Sequence, residues 1–185
     1  AKNSMKLFIN FLTISRILLG PIIFILVLYW EAFTASLFLF LFASISDYFD
    51  GALARKYNLS SPLGEVLDPI ADKILVLFML FALALYFSSI YIGFISCLML
   101  AREFWVSALR DLNARNLNTS ATKVSFLAKI KTTVQLGAVG FYLFGLFSGS
   151  AIIIFLGDFI LLLALIIAIQ TGLTYSLKTF SSKVS

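Results

Sequence analysis

Charge is scarce in this chain. Lys, Arg, Asp and Glu make up 12% of its 185 residues, against 61% hydrophobic and 16% aromatic, a balance that excludes an ordinary soluble domain. Disulfide chemistry is excluded too: the single cysteine, Cys97, has no partner in the chain and sits in an apolar run, where it reads as a core residue. Internal repeats, low-complexity segments and linker-like stretches are missing, so residues 1–185 read as one compact membrane-embedded domain. The run from Leu7 to Tyr29 follows Lys2 and Lys6 as a signal peptide would. It is longer than the usual apolar region and lacks a small-x-small cleavage site, so it reads as a first span.

What the chain has in abundance is apolar runs near the roughly 20 residues that a helix needs to cross a hydrocarbon core. Six helices account for the sequence, near 7–29, 33–57, 64–87, 90–112, 125–147 and 150–176. The stretch from Gly64 to Leu112 has 49 residues, with no charge between Lys73 and Arg102, so a tight turn near Ser88 and Ser89 must divide it. The expected fold is therefore all-α, a six-transmembrane-helix bundle. Lys2 and Lys6, Arg55 and Lys56, the group from Arg110 to Lys131, and Lys178 and Lys183 all fall at one end of it. The connections near Glu31, Ser88 and Ser148 carry no Lys or Arg. By the positive-inside rule both termini are cytoplasmic, and the net charge of +5 suits an anionic lipid surface or an anionic substrate. Topology alone accounts for most of the flanking Lys and Arg.

Against this background residues 46–73, SDYFDGALARKYNLSSPLGEVLDPIADK, stand out for five acidic side chains. Asp47 and Asp50 are three apart near the end of the second helix, and Asp68 and Asp72 are four apart near the start of the third, so each pair shares a helix face. The short connection NLSSPL makes the two helices expected neighbours. At about 1.5 Å per residue, Asp50 and Asp68 both lie on the order of 10 Å inward of the turn. An unpaired Asp at a helix centre costs roughly 2.5–3.5 kcal/mol on insertion scales, so cations must compensate. Arg55 and Lys73 are candidates, but four carboxylates outnumber them. Hard divalent ions, Mg2+ or Mn2+, prefer such oxygen donors, and a two-metal site stands beside a proton or cation pathway as a reading of the cluster. Gly51 and Ala54 leave room beside Asp50 for a bulky ligand, and Arg55 can reach phosphate oxygens, although small residues also serve plain helix packing.

The order of these residues is DxxDGxxAR, eight residues, then GxxxDxxxD: Asp47, Asp50, Gly51, Ala54, Arg55, Gly64, Asp68 and Asp72. It resembles, without a departure, the signature of the CDP-alcohol phosphotransferases, integral membrane enzymes of phospholipid synthesis. The resemblance implies that the four aspartates hold two divalent ions and that Asp72 is also the catalytic base. It further implies that Gly51, Ala54, Arg55 and Gly64 seat the CDP and pyrophosphate. An alcohol would attack the phosphorus bearing the lipid, and CMP would leave.

A second basic cluster bears on the acceptor. Arg102 lies inside the fourth helix, away from the loop, where it can pair with Glu103 or with the acidic site. Arg110, Lys129 and Lys131 lie nearer the cytoplasmic end, where they can meet a phosphate on a small acceptor. Arg102, Glu103, Val106, Ser107, Leu109 and Arg110, the run from Val124 to Gln135, and NFLTISR at 10–16 resemble one bacterial branch of the same family, with Ile9 where many members carry a proline. That branch implies CDP-diacylglycerol as donor, glycerol 3-phosphate as acceptor, and a bacterial inner membrane with the site facing the cytoplasm. Arg110, Lys129, Lys131 and Arg102 would meet the acceptor phosphate, with Thr13 and Arg16 assisting. Another acceptor (an inositol phosphate, serine or phosphatidylglycerol) is the nearest rival, and a cation transporter the rival of a different class. Membrane lipids are expected partners and nucleic acid is not. A homodimer is compatible with Gly137 and Gly140, which permit close helix contacts.

Overall fold

The computed structural model describes residues 2–57, 62–116 and 126–181, with side chains described for 10–46, 67, 70–71, 73–116 and 130–181. Six helices fill these segments: α1 (Lys2–Leu28), α2 (Phe33–Tyr57), α3 (Pro62–Tyr86), α4 (Ile90–Arg115), α5 (Phe126–Ser148) and α6 (Ala151–Ser181). Among the described residues no strand occurs. Pro62 opens α3, a position where its missing N–H costs nothing and its fixed φ suits the helix.

The helices form three hairpins, α1 with α2, α3 with α4 and α5 with α6, each pair packed along its length. Each hairpin is closed by a tight turn with one left-handed residue: Glu31 (φ 48°), Ser88 (φ 48°) and Gly149 (φ 66°). After α3 the Ser89 amide donates to the Ala84 carbonyl at 2.9 Å, and after α5 the Ser150 amide donates to the Gly145 carbonyl at 3.0 Å. Both are the six-to-one bond that satisfies helix-end carbonyls behind a left-handed residue. Ser89 also caps α4, its side chain accepting from the Ile92 amide at 3.2 Å. Because each helix crosses the bundle once, the three turns share one end, and the aspartate-bearing ends of α2 and α3 share the other.

The hairpins assemble through α1 on α3, α2 on α5, α3 on α5 and α4 on α6. Their shared core includes Ile23, Phe40, Met79, Leu83, Ile92, Leu143 and Leu161. Close approach of α1 to α3 needs Gly20, where a Cβ would sit 3.3 Å from the Phe78 ring and 3.5 Å from the Leu75 backbone. The α4–α6 contact is polar at its outer end, where Trp105 donates to Ser176 at 2.8 Å and Asn113 donates to Thr179 at 2.7 Å.

Large apolar side chains such as Phe11, Leu18, Phe38, Phe81, Phe94 and Phe155 cover the outside, as expected where the solvent is lipid. Among the described residues four segments are long and apolar enough to cross a membrane: Asn10–Leu28, Ile90–Arg115, Ile130–Ser148 and Ala151–Ser181. Shorter apolar segments, Phe33–Ser46 and Lys73–Tyr86, belong to α2 and α3, whose remaining halves carry the acidic sequence. The chain is a helical membrane protein. Cys97, expected in the core, is exposed on α4 instead. In the run around it Ile95 and Met99 are buried while Phe94 and Leu98 face outward, and lipid and core make the same demand on a side chain.

Candidate active site

Among the described residues α2 and α3 do not pack directly on each other, despite their short connection; each packs on α1 and on α5. Between them lies a small, mostly apolar cavity of about 10 Å³, a cleft with room for about one water, lined by Arg16 of α1, Ala43 and Ser44 of α2, Leu75 and Val76 of α3, and Thr132 and Leu136 of α5. Helical register connects this cleft to the signature. Asp47 follows Ser44 by three residues and Ala43 by four. Asp68, Asp72 and Val76 follow one another at intervals of four. The cleft-lining positions and the aspartates therefore fall in one register on each helix, the aspartates nearer the aspartate-bearing end. Asp47 and Asp50 belong to α2, and Asp68 and Asp72 to α3. The side chains of all four, of Ala54, Arg55 and Lys129, and the surroundings of Gly51 and Gly64, lie outside the described residues.

One wall of the cleft is a buried cation. Arg16 is the largest fully buried side chain and donates through Nη2 to the Thr13 hydroxyl at 3.5 Å, with Thr13 itself fully buried. A guanidinium removed from water demands anionic or polar company, and it lies beside the register that carries the aspartates.

The second feature is a half-buried ionic hub centred on Glu103 of α4. Its Oε1 accepts from Arg102 Nη1 at 2.9 Å and from the Lys131 ammonium of α5, while its Oε2 lies 3.5 Å from the Lys73 ammonium of α3. Arg102 is anchored further, donating through Nε to the Ala168 carbonyl at 2.9 Å and through Nη2 to the Thr171 hydroxyl at 2.7 Å, both on α6. Of the two partners open to Arg102 on sequence, the structure displays Glu103. Lys131 is buried among α3, α4 and α5, whereas Arg110, seven residues beyond Glu103 on the same helical face, is exposed. Lys73 follows Asp72 and Lys131 precedes Thr132 in sequence, neighbours whose side chains leave the helix on different sides.

An acidic signature on α2 and α3 and a cationic hub among α3, α4 and α5 are the charges that a metal-bound polyanion would match. The family comparison agrees. The model of the CDP-alcohol phosphatidyltransferase family matches residues 7–173. The chain belongs to that family. Among curated proteins it is similar to the "CDP-diacylglycerol--glycerol-3-phosphate 3-phosphatidyltransferase" of Rickettsia typhi, 42% identical over 92% of this chain and 96% of the relative. The Rickettsia prowazekii protein of the same name is 42% identical over 90% of this chain and 91% of its own length. The Escherichia coli protein of that name is 39% identical over 71% of this chain and 74% of its own.

In this CDP-alcohol phosphatidyltransferase the cavity lies among α1, α2, α3 and α5, and α4 and α6 pack on α3 and α5. Sequence reasoning placed Lys73 as a counter-ion for the aspartates; its described ion pair is with Glu103. The central place of Glu103 was missed. The signal available was one buried acid spaced within reach of several cations, which sequence spacing does not separate from a local Arg102–Glu103 pair.

Proposed function

We propose that this protein transfers the phosphatidyl group of CDP-diacylglycerol to glycerol 3-phosphate, giving phosphatidylglycerophosphate and CMP. The reading is carried by relatives of that printed name aligned over about nine-tenths of this chain. The charge layout supports it: the acidic signature lies on α2 and α3, and basic side chains gather around Glu103 among α3, α4 and α5.

The donor set suits hard divalent cations. The signature offers four carboxylates, the chain has no histidine, and its one thiol, Cys97, is exposed on the outside of α4, so oxygen ligands alone are available. Asp47, Asp50, Asp68 and Asp72 would hold Mg2+ or Mn2+, two ions being the expected number. When bound, these ions neutralise the charge of the pyrophosphate and of the departing nucleotide.

The protein's own groups do the rest. Gly51, Ala54, Arg55 and Gly64 seat the cytidine diphosphate moiety, the small residues admitting it close to the backbone and Arg55 bonding its phosphate. Lys131, with Lys129 and Arg110 toward the aqueous end, binds the acceptor phosphate, and Arg102 acts on it through Glu103. Arg16 and Thr13 supply a positive wall at the depth of the cleft. Asp72 takes the proton of the acceptor hydroxyl, the freed oxygen bonds to the lipid-bearing phosphorus, and the bond from that phosphorus to the bridging oxygen breaks, releasing CMP.

On this reading the aspartate-bearing end, both termini and the site face the cytoplasm of a bacterial inner membrane, because the basic residues concentrate at that end. A homodimer belongs to the same reading: open space beside Gly137 lets a second copy's helix approach α5.

The test is an assay of the purified protein with CDP-diacylglycerol and labelled glycerol 3-phosphate, inositol phosphate, serine or phosphatidylglycerol. Labelled lipid from glycerol 3-phosphate alone is the expected result. Labelled lipid only from another acceptor removes the assignment while keeping the family, and no CMP with any acceptor points to transport.

A further inference from the structure

The hub around Glu103 is unbalanced. Among the described residues three cationic side chains, from α3, α4 and α5, converge on one carboxylate, a surplus of two positive charges, with Arg102 and Lys131 largely buried and Lys73 open to the outside. Such a surplus is costly away from water unless an anion joins it. Arg102 is not free to move toward one, because Nε and Nη2 tie it to Ala168 and Thr171 of α6. The two lysines differ from it. Lys73 is about half exposed, at 45%, and sits 3.5 Å from the carboxylate; Lys131 has an ammonium with three donors and reaches Glu103 by its tip.

We propose that Glu103 is a positioning residue that holds the Lys73 and Lys131 ammonium groups together as a two-lysine seat for the dianionic phosphate of the acceptor. This rests on the phosphatidyl-transfer reading above and adds Lys73 and Glu103 to it. Like-charged ammonium groups on flexible stems repel each other, and a shared carboxylate is what keeps two of them on one side of a narrow site. Arg102, pinned to α6, fixes the carboxylate in turn. Glu103 does not touch the phosphate, which it would repel; it sets where the lysines are. The seat discriminates by charge: a dianion cancels the surplus of two, whereas a neutral alcohol such as serine or glycerol leaves it unbalanced.

Steady-state kinetics of the purified full chain in detergent micelles test this, varying glycerol 3-phosphate and CDP-diacylglycerol separately. Glu103→Gln should raise KM for glycerol 3-phosphate about tenfold, a loss typical of one charged hydrogen bond, and change KM for CDP-diacylglycerol less than about twofold. Lys73→Ala should shift the same constant in the same direction. Combining the two should give less than the product of the separate effects, because both loosen one seat. A glycerol 3-phosphate KM that is unchanged, or that rises in step with that of the lipid, overturns the proposal. Should Glu103→Gln fail to fold, the half-exposed Lys73 decides by itself. If the unaltered protein transfers nothing to glycerol 3-phosphate, the functional reading falls and the seat with it. If it is active and both variants match it, only the seat falls.

Discussion

The Tyr142 hydroxyl of α5 donates to Oδ1 of Asp158 on α6 at 2.6 Å, and the Tyr91 hydroxyl of α4 donates to the Asp158 backbone carbonyl at 2.9 Å. Three helices are thus joined near the tight-turn end of the bundle. Tyr142 lies eleven residues beyond Lys131 on α5, about 16 Å of helical rise. The molecule therefore keeps two half-buried acidic centres apart. Asp158 is satisfied by a neutral phenol, which suits a structural tie; Glu103 gathers cations, which suits a site that meets an anion.

That separation makes the two centres distinguishable by mutation. Tyr142→Phe removes the donor to Asp158 while keeping the ring that packs on Gly157, and it should lower stability by about 1–2 kcal/mol. Both Michaelis constants should stay at their original values. Thermal unfolding in detergent, followed by circular dichroism, together with initial-rate kinetics, checks both parts. A changed KM for glycerol 3-phosphate at unchanged stability would contradict the division.

Asp72→Asn keeps side-chain size and removes the base and the metal-ligating charge proposed for this position. The helical content should survive while turnover falls by about a hundredfold or more, the usual contribution of a positioned base. Full activity in this variant would remove both roles assigned to Asp72.

Arg16 is fully buried in the wall of the cleft, so its charge has no topological purpose. Arg16→Gln should lower kcat/KM for glycerol 3-phosphate about tenfold, as expected on losing one charged hydrogen bond to substrate. An unchanged ratio, with only stability reduced, would make Arg16 a packing element.

Hydropathy located the bundle well because crossing lipid imposes a length, and every helix appears where its apolar run lies. The turn at Ser88 and Ser89 was legible because one apolar stretch was too long for one crossing. Helix ends were less legible. α4 continues to Arg115 and α6 to Ser181, beyond the expected 112 and 176, because a helix need not stop where its apolar surface does. Arg115 even pairs with Asp111 at 2.8 Å on that polar extension. The adjacency of α2 and α3 was read from their short connection; among the described residues α1 packs on both, and the ends next to that connection have side chains outside the described ones. The signature named the acidic residues because their spacing is fixed within single helices. The hub was not legible in the same way, since Lys73, Glu103 and Lys131 come from three helices and only packing brings them together.

Whether the signature aspartates hold divalent ions for transfer from CDP-diacylglycerol to glycerol 3-phosphate is decided by following CMP release before and after exhaustive chelation. CMP should appear in step with phosphatidylglycerophosphate, stop when chelator removes the divalent ions, and resume when Mg2+ or Mn2+ is restored. Undiminished CMP release in the chelated protein would contradict the account.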